Sequence, residues 1–198
     1  MGRGRGRKRK MTEKIFIALG GNIPDIDTVE KNLSEALLEI GRFCEIISVS
    51  SLYETSPWGM HNQKNFLNAV VSANFDGEPY ELLSHTREIE RKIGRDKSGK
   101  WGPRKIDLDI ILFGKRIIDE IDLIIPHRYL VFRDFFLVPL LEIEKECVNP
   151  NDGRKFSEYL ERIPEQLRTI IGKREGKIWQ NTITSLSKDL SVQAKRFS

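Results

Sequence analysis

Apolar positions along this chain fall into two alternating periods. Residues 15–19 are an unbroken apolar run, too short for a helix and closed by Gly20-Gly21-Asn22, which predicts a buried strand. Val29, Leu33, Ala36, Leu37 and Ile40 then recur at helical spacing, with Gly41 as the stop. Residues 45–53 and 66–75 predict strands on either side of a polar loop over 54–65. Leu82, Thr86, Ile89 and Ile93 form the stripe of a second helix, opened by Pro79 and Glu81 and ended by Gly94. A basic, glycine-containing loop over 95–104 leads into a last strand. Beyond it the pattern predicts a short ribbon over 116–125, a loop over 126–133 and a helix over 134–145 with Asp134 as its cap.

Strand, helix, strand, strand, helix, strand is the ferredoxin-like order. The expected fold class is therefore α+β: a ferredoxin-like sandwich with a mixed or antiparallel sheet and helices packed on its faces. Residues 11–160 are read as one domain, 1–10 as a disordered basic tail, and 161–198 as a helical C-terminal extension. Ile170, Ile171, Ile178, Trp179, Ile183, Leu186 and Leu190 in that extension are expected to pack on the domain itself, with self-association as the alternative.

The last strand carries the chemistry. Side chains alternate faces along a strand, so Ile106, Leu108 and Ile110 share one side while Asp107 and Asp109 share the other, roughly 6.5–7 Å apart. Two like charges on a sheet need something positive between them, and Mg²⁺ takes one or two carboxylates together with phosphate oxygens and water. Arg95, Lys97, Lys100 and Arg104 bracket the same strand, and guanidinium forks suit phosphate. The plainer alternative is a solvated hairpin loop whose cations pair with the two aspartates.

Composition narrows the class. No apolar run approaches the roughly 20 residues that span a bilayer, and no signal peptide is visible. Cys44 and Cys147 lack metal-ligand spacing and fit reduced thiols in a cytoplasmic protein. The sequence pI near 9.0 comes from the tail. Removing Arg3, Arg5, Arg7, Lys8, Arg9 and Lys10 from the 33 basic residues leaves 27 against 29 acidic ones. Met11 is accordingly read as the physiological start and the tail as an upstream extension, the rival being a nucleic-acid-binding arm. No Gly-x-x-x-x-Gly-Lys-Ser/Thr run supports a P-loop kinase, and no RNA-recognition aromatic signature supports an RNA module.

Five ordered segments go further: Ala18-Leu-Gly-Gly-Asn22, Ser51-Leu-Tyr-Glu-Thr-Ser-Pro-Trp-Gly59, Phe66-Leu-Asn68, Gly102-Pro-Arg-Lys-Ile-Asp-Leu-Asp109, and Pro126-His127 with Arg133. Over residues 15–151 they closely resemble the 6-hydroxymethyl-7,8-dihydropterin pyrophosphokinases of folate biosynthesis. The resemblance implies transfer of an intact pyrophosphoryl group from ATP to the pterin hydroxymethyl oxygen, with release of AMP. It implies two Mg²⁺ ions with ATP on Asp107 and Asp109, and phosphate contacts from Arg95 and Arg104. Glu90, Lys97, Lys100, Trp101, His127 and Arg133 fall on the ATP side, Trp101 closing over the pterin pocket. Asn68 would read the ring edge, Phe66 and Phe135 would sandwich the ring, and Thr55 and Trp58 would line the pocket. The expected partners are ATP and the reduced pterin alcohol, without membrane or nucleic acid. The chain is read as a monomer, with a dimer as alternative. Gly21 departs from the serine common in the family, and residues after about 160 have no family counterpart.

Overall fold

Strand β1 (Glu13–Gly21) runs through the middle of a six-stranded sheet, and both its faces are covered. Ile15, Ile17 and Leu19 belong to one core and Phe16 and Ala18 to a second. That double covering is why the segment reads as continuously apolar instead of alternating. The computed structural model describes residues 12–23, 25–57, 63–94 and 104–196, with side chains up to residue 188.

Helix α1 (Ile26–Ile40) starts at Asp25, whose carboxylate accepts the Asp27 N–H at 3.2 Å. Strands β2 (Glu45–Val49) and β3 (Leu52–Thr55) follow, then β4 (Phe66–Phe75) and helix α2 (Pro79–Ile93). Pro79 opens α2, Glu81 accepts the Glu78 N–H at 2.8 Å, and Gly94 ends the helix at φ 95°, a conformation that favours glycine. Strand β5 (Asp107–Phe113) forms one edge of the sheet, and β6 (Ile118–Asp119) pairs with β7 (Ile124–Ile125) in the expected ribbon. Helices α3 (Asp134–Ile143) and α4 (Phe156–Arg162), strand β8 (Ile170–Arg174) and helix α5 (Lys177–Arg196) complete the chain.

The sheet order is β5-β1-β4-β3-β8, with β2 also on β4, and among the described residues every strand pair is antiparallel. This is the ferredoxin-like arrangement, with the second strand broken in two. Helices α1, α2 and α5 cover one face, where Leu33, Leu37, Leu82, Ile89 and Trp179 pack; α3 and α4 cover the other through Phe136, Leu137, Leu140 and Phe156.

Three local expectations change. The single strand over 45–53 is interrupted at Ser50, whose N–H donates to Val70 O and whose Oγ accepts the Val70 N–H, both at 2.9 Å. A side chain replaces one backbone group of the ladder and bends the strand. At α3 the cap is Arg133, and Asp134 is the first helical residue. The C-terminal extension is not helical throughout: it begins in the end of α4 and a 3-10 turn over 165–167, residues 170–174 add β8 to the sheet beside β3, and the long helix starts only at Lys177.

Helix α5 is anchored by charge and by bulk. Glu30 of α1, 5% exposed, accepts the Ile178 and Trp179 N–H groups at 2.8 and 3.0 Å, a carboxylate at a helix N-terminus. Trp179 is fully buried, and its indole N–H donates to Ser50 O at 3.0 Å, directly at the strand break. Trp179→Phe keeps most of the bulk but leaves that carbonyl without its donor. The expected loss is about 1–2 kcal/mol, read as a lower urea midpoint with an unchanged slope. An unshifted midpoint would show that the indole hydrogen bond contributes nothing.

Candidate active site

The strand pairing brings two polar groups onto one face. Ile106, Leu108 and Ile110 point into the core beneath α1 and α2, which turns Asp107 and Asp109 to the opposite side. In register, Asp107 lies opposite Gly20, Gly20 opposite Asn68, and Asn68 opposite Tyr53. Directly opposed residues share a face, so Asp107 and Asn68 flank a bare glycine, about 10 Å apart at two strand spacings. A Cβ on Gly20 would meet Asn68 Oδ1 at 2.9 Å. Glycine therefore keeps the floor between them open.

On the Asn68 side, its amide donates to Thr55 Oγ1 at 2.8 Å, both residues being buried. Phe66, half-buried at the start of β4, is the register partner of Thr55 and faces the same way. Phe135 lies in the first turn of α3, its ring 4.8 Å from that of Phe136. These residues supply flat apolar surface and one oriented amide, which suits a planar heterocycle with polar edges.

On the carboxylate side, Arg104 pairs with Asp107. Asn22 positions this arginine: its N–H donates to Arg104 O at 2.9 Å, its Oδ1 accepts the Arg104 N–H at 2.7 Å, and its amide donates to Gln63 at 2.9 Å. A Cβ at Gly21 would sit 3.0 Å from Lys105 O, so the absence of a side chain lets residues 104–105 approach the turn closely. Arg133 lies over the rings of Tyr129, Phe135 and Phe136, with Cζ 4.4, 5.3 and 5.8 Å from their centroids. His127 Nε2 is 4.0 Å from Asp109 Oδ1, and its Nδ1 accepts the Tyr129 N–H at 3.3 Å.

Electrostatics mark Asp109 and His127. Burial, reinforced by Asp107 and Glu90, pushes the Asp109 carboxyl up to about 7, against the pull of Arg104 and Arg133. Burial, with the Arg133 charge, pulls His127 down to about 4. The imidazole is thus neutral near pH 7, and with Nδ1 accepting, its proton sits on Nε2, facing Asp109. The Asp109 side chain keeps 36% of its surface open, so a cation can reach it. Among the described residues no three His, Cys, Asp or Glu side chains form a ready-made metal cage. The Asp107–Asp109 pair fits a hard divalent ion that draws its other oxygen ligands from phosphates and water.

A raised carboxyl also governs stability. Between the ordinary carboxylate range and about pH 7, the folded protein holds a proton on Asp109 that the unfolded chain has released. Stability of the metal-free protein therefore falls as pH rises through that window. Asp109→Asn should leave Tm unchanged at pH 4 and raise it by a few degrees at pH 8. A variant no more stable than the parent at pH 8 would contradict this.

The structure thus groups Arg104, Asp107, Asp109, His127 and Arg133 around one end of the row. Thr55, Phe66 and Asn68 stand at the other end, while the Phe135 ring lies beside Phe136 and Arg133 at the start of α3. Glu90 reaches β5 from α2, where it is buried and accepts the Leu108 N–H at 3.0 Å, between the two aspartates. Trp58, Arg95, Lys97, Lys100 and Trp101 lie outside the described residues. The sequence assigned no site role to Asn22 and made Asp134 only a helix cap. The Gly20-Gly21-Asn22 turn signals the first; nothing local signals that Asp134 reaches Thr169.

Comparison with known proteins adds a family. Residues 16–145 match the model of 7,8-dihydro-6-hydroxymethylpterin-pyrophosphokinase. The 2-amino-4-hydroxy-6-hydroxymethyldihydropteridine pyrophosphokinase of Aquifex aeolicus is 38% identical over 145 residues, 73% of this chain and 89% of the relative. The enzyme of the same name from Bacillus subtilis is 41% identical over 143 residues, 70% of this chain and 85% of the relative. The fold is similar to that of wild-type Plasmodium falciparum HPPK-DHPS, with a TM-score of 0.63 at 16% identity, over 78% of this chain and 45% of that one.

Proposed function

We infer the reaction from kinship and geometry together: this chain belongs to the 7,8-dihydro-6-hydroxymethylpterin-pyrophosphokinase family, and it transfers pyrophosphate from ATP to 6-hydroxymethyl-7,8-dihydropterin in folate biosynthesis. The bond from the α-phosphorus to its bridging oxygen stays with AMP, and the bond from that oxygen to the β-phosphorus breaks. The pterin hydroxymethyl oxygen bonds to the β-phosphorus and gives up its proton. The observation that carries this reading is the row Asp107–Gly20–Asn68, which sets a carboxylate pair and a buried amide on one face of the sheet.

In our proposal Asp107 and Asp109 hold Mg²⁺ with ATP, and the ions supply charge neutralisation and polarisation of the phosphates. Arg104 is drawn from Asp107 onto phosphate oxygens, a bidentate exchange between two anions. Arg133, fixed on its aromatic platform, adds positive charge near the leaving side, and His127 offers a neutral N–H donor. Asn68, held by Thr55, orients the pterin edge, while Phe66 and Phe135 hold its faces. A primary hydroxyl titrates far above neutrality, so alignment of the attacking oxygen carries much of the acceleration. Glu90 keeps the two carboxylates in place by holding the backbone between them. On the resemblance of their segments, Arg95 is proposed to contact phosphates, Lys97 and Lys100 to lie on the ATP side, Trp58 to line the pterin pocket and Trp101 to close over it.

Both clusters come from one chain, so a monomer suffices. Cys44 and Cys147 are free thiols, which supports a cytoplasmic setting. No helix among the described residues is long and apolar enough to cross a membrane. The test is a turnover assay with the protein, MgATP and the reduced pterin alcohol. AMP should appear in step with pterin diphosphate; ADP in its place would overturn the reaction assigned.

A further inference from the structure

We propose that Asp134, gripping Thr169 and Ile170, is a positioning residue that ties the pterin-side wall to a segment beyond the family's matched region. The inference rests on the pterin pocket proposed above. Asp134 sits between Arg133 and Phe135 in the first turn of α3 and is 2% exposed. Its Oδ2 accepts the Thr169 and Ile170 N–H groups at 2.7 and 2.9 Å, and its Oδ1 accepts the Thr169 hydroxyl at 2.6 Å. Thr169 O in turn accepts the Ser56 N–H at 2.9 Å, and Ile170 stands opposite Thr55 in the β3–β8 ladder. One chain of contacts therefore runs from Phe135 through Asp134 and residues 169–170 to Thr55, and on to the Asn68 amide.

A second clasp holds the far end of α3. Glu142 accepts the Ser51 N–H at 3.0 Å, its hydroxyl at 2.7 Å, the Tyr53 hydroxyl at 3.0 Å and the Lys173 ammonium at 2.8 Å. Helix α3 is thus tied at both ends to β3 and β8, while the family match stops at residue 145. Packing alone would be served by an apolar residue at 134. A buried carboxylate costs desolvation, and what its three hydrogen bonds add is direction. They fix where the helix presents Phe135 relative to Thr55 and Asn68.

The test separates positioning from simple support. Asp134→Asn places an amide donor against Thr169 donors; Thr169→Val removes one hydrogen bond and keeps the backbone ones. We expect pterin KM to rise roughly tenfold in the first and about fivefold in the second, with ATP KM within about twofold. Thr169→Ser, which retains the hydroxyl, should restore the parent pterin KM. Equal rises in both KM values, or Thr169→Ser behaving like Thr169→Val, would reduce the contact to structural support and overturn the proposal. If Asp134→Asn does not fold, the two Thr169 variants decide. Asn68→Leu serves as reference: a normal pterin KM in Asp134→Asn and Thr169→Val beside a raised one in Asn68→Leu refutes the positioning role alone. Normal values in all of them refute the pocket as well.

Discussion

Asp109→Ala abolishes turnover, with kcat expected to fall at least about a thousandfold at ordinary Mg²⁺, because half of the proposed metal-holding pair is gone. Asp107 cannot substitute, since a single carboxylate supplies only half of the pair's charge and oxygen ligands. Loss of folding is not the cause. The Asp109 carboxyl is pushed up toward 7 by burial and by Asp107, so the metal-free fold tolerates its removal. Circular dichroism and Tm should match or exceed those of the parent. Raising Mg²⁺ to tens of millimolar should recover little activity, whereas Asp109→Glu should recover more. Near-normal turnover by Asp109→Ala at ordinary Mg²⁺ would refute the metal role of this strand.

Asn68→Leu separates the two substrates. Leucine keeps the branched four-atom shape of asparagine, so the packing beside Val70 stays filled, but the Thr55 hydroxyl loses its 2.8 Å partner and the ring edge loses its amide. Buried polar groups left unpaired on both protein and ligand give a large penalty, about a hundredfold or more in kcat/KM for the pterin. ATP KM should change by less than about threefold, because the carboxylates lie two strands away across Gly20. Comparable losses for both substrates would place Asn68 outside the pterin pocket. A Gly20→Ala variant probes the same row from its centre, since its Cβ would press on Asn68 Oδ1.

Much of this arrangement is legible in the chain because local rules govern it. Pro79, Glu81 and Gly94 announce α2 through the dihedral and hydrogen-bonding demands of helix ends, and the structure places its limits there. Asp107 and Asp109 declare their shared face through strand alternation, since Leu108 and Ile110 must go inward. Strand β8 is not legible in this way. Ile171 is 60% exposed and Gly172 carries no side chain, so residues 170–174 show no buried face by which a strand could be recognised. The break at Ser50 is equally silent, for it depends on Val70 and on Trp179, distant in sequence.

The amino-acid order alone determined the strand and helix order of the ferredoxin-like core, the limits of α2 and the common face of the two aspartates, because each follows from dihedral preference and burial within a few neighbouring residues. Tertiary structure decided which strands stand beside β5, that Gly20 separates the carboxylates from Asn68, and that Asp134 closes on Thr169. Those outcomes rest on hydrogen bonds and packing between segments far apart in the chain, for which no local periodicity exists.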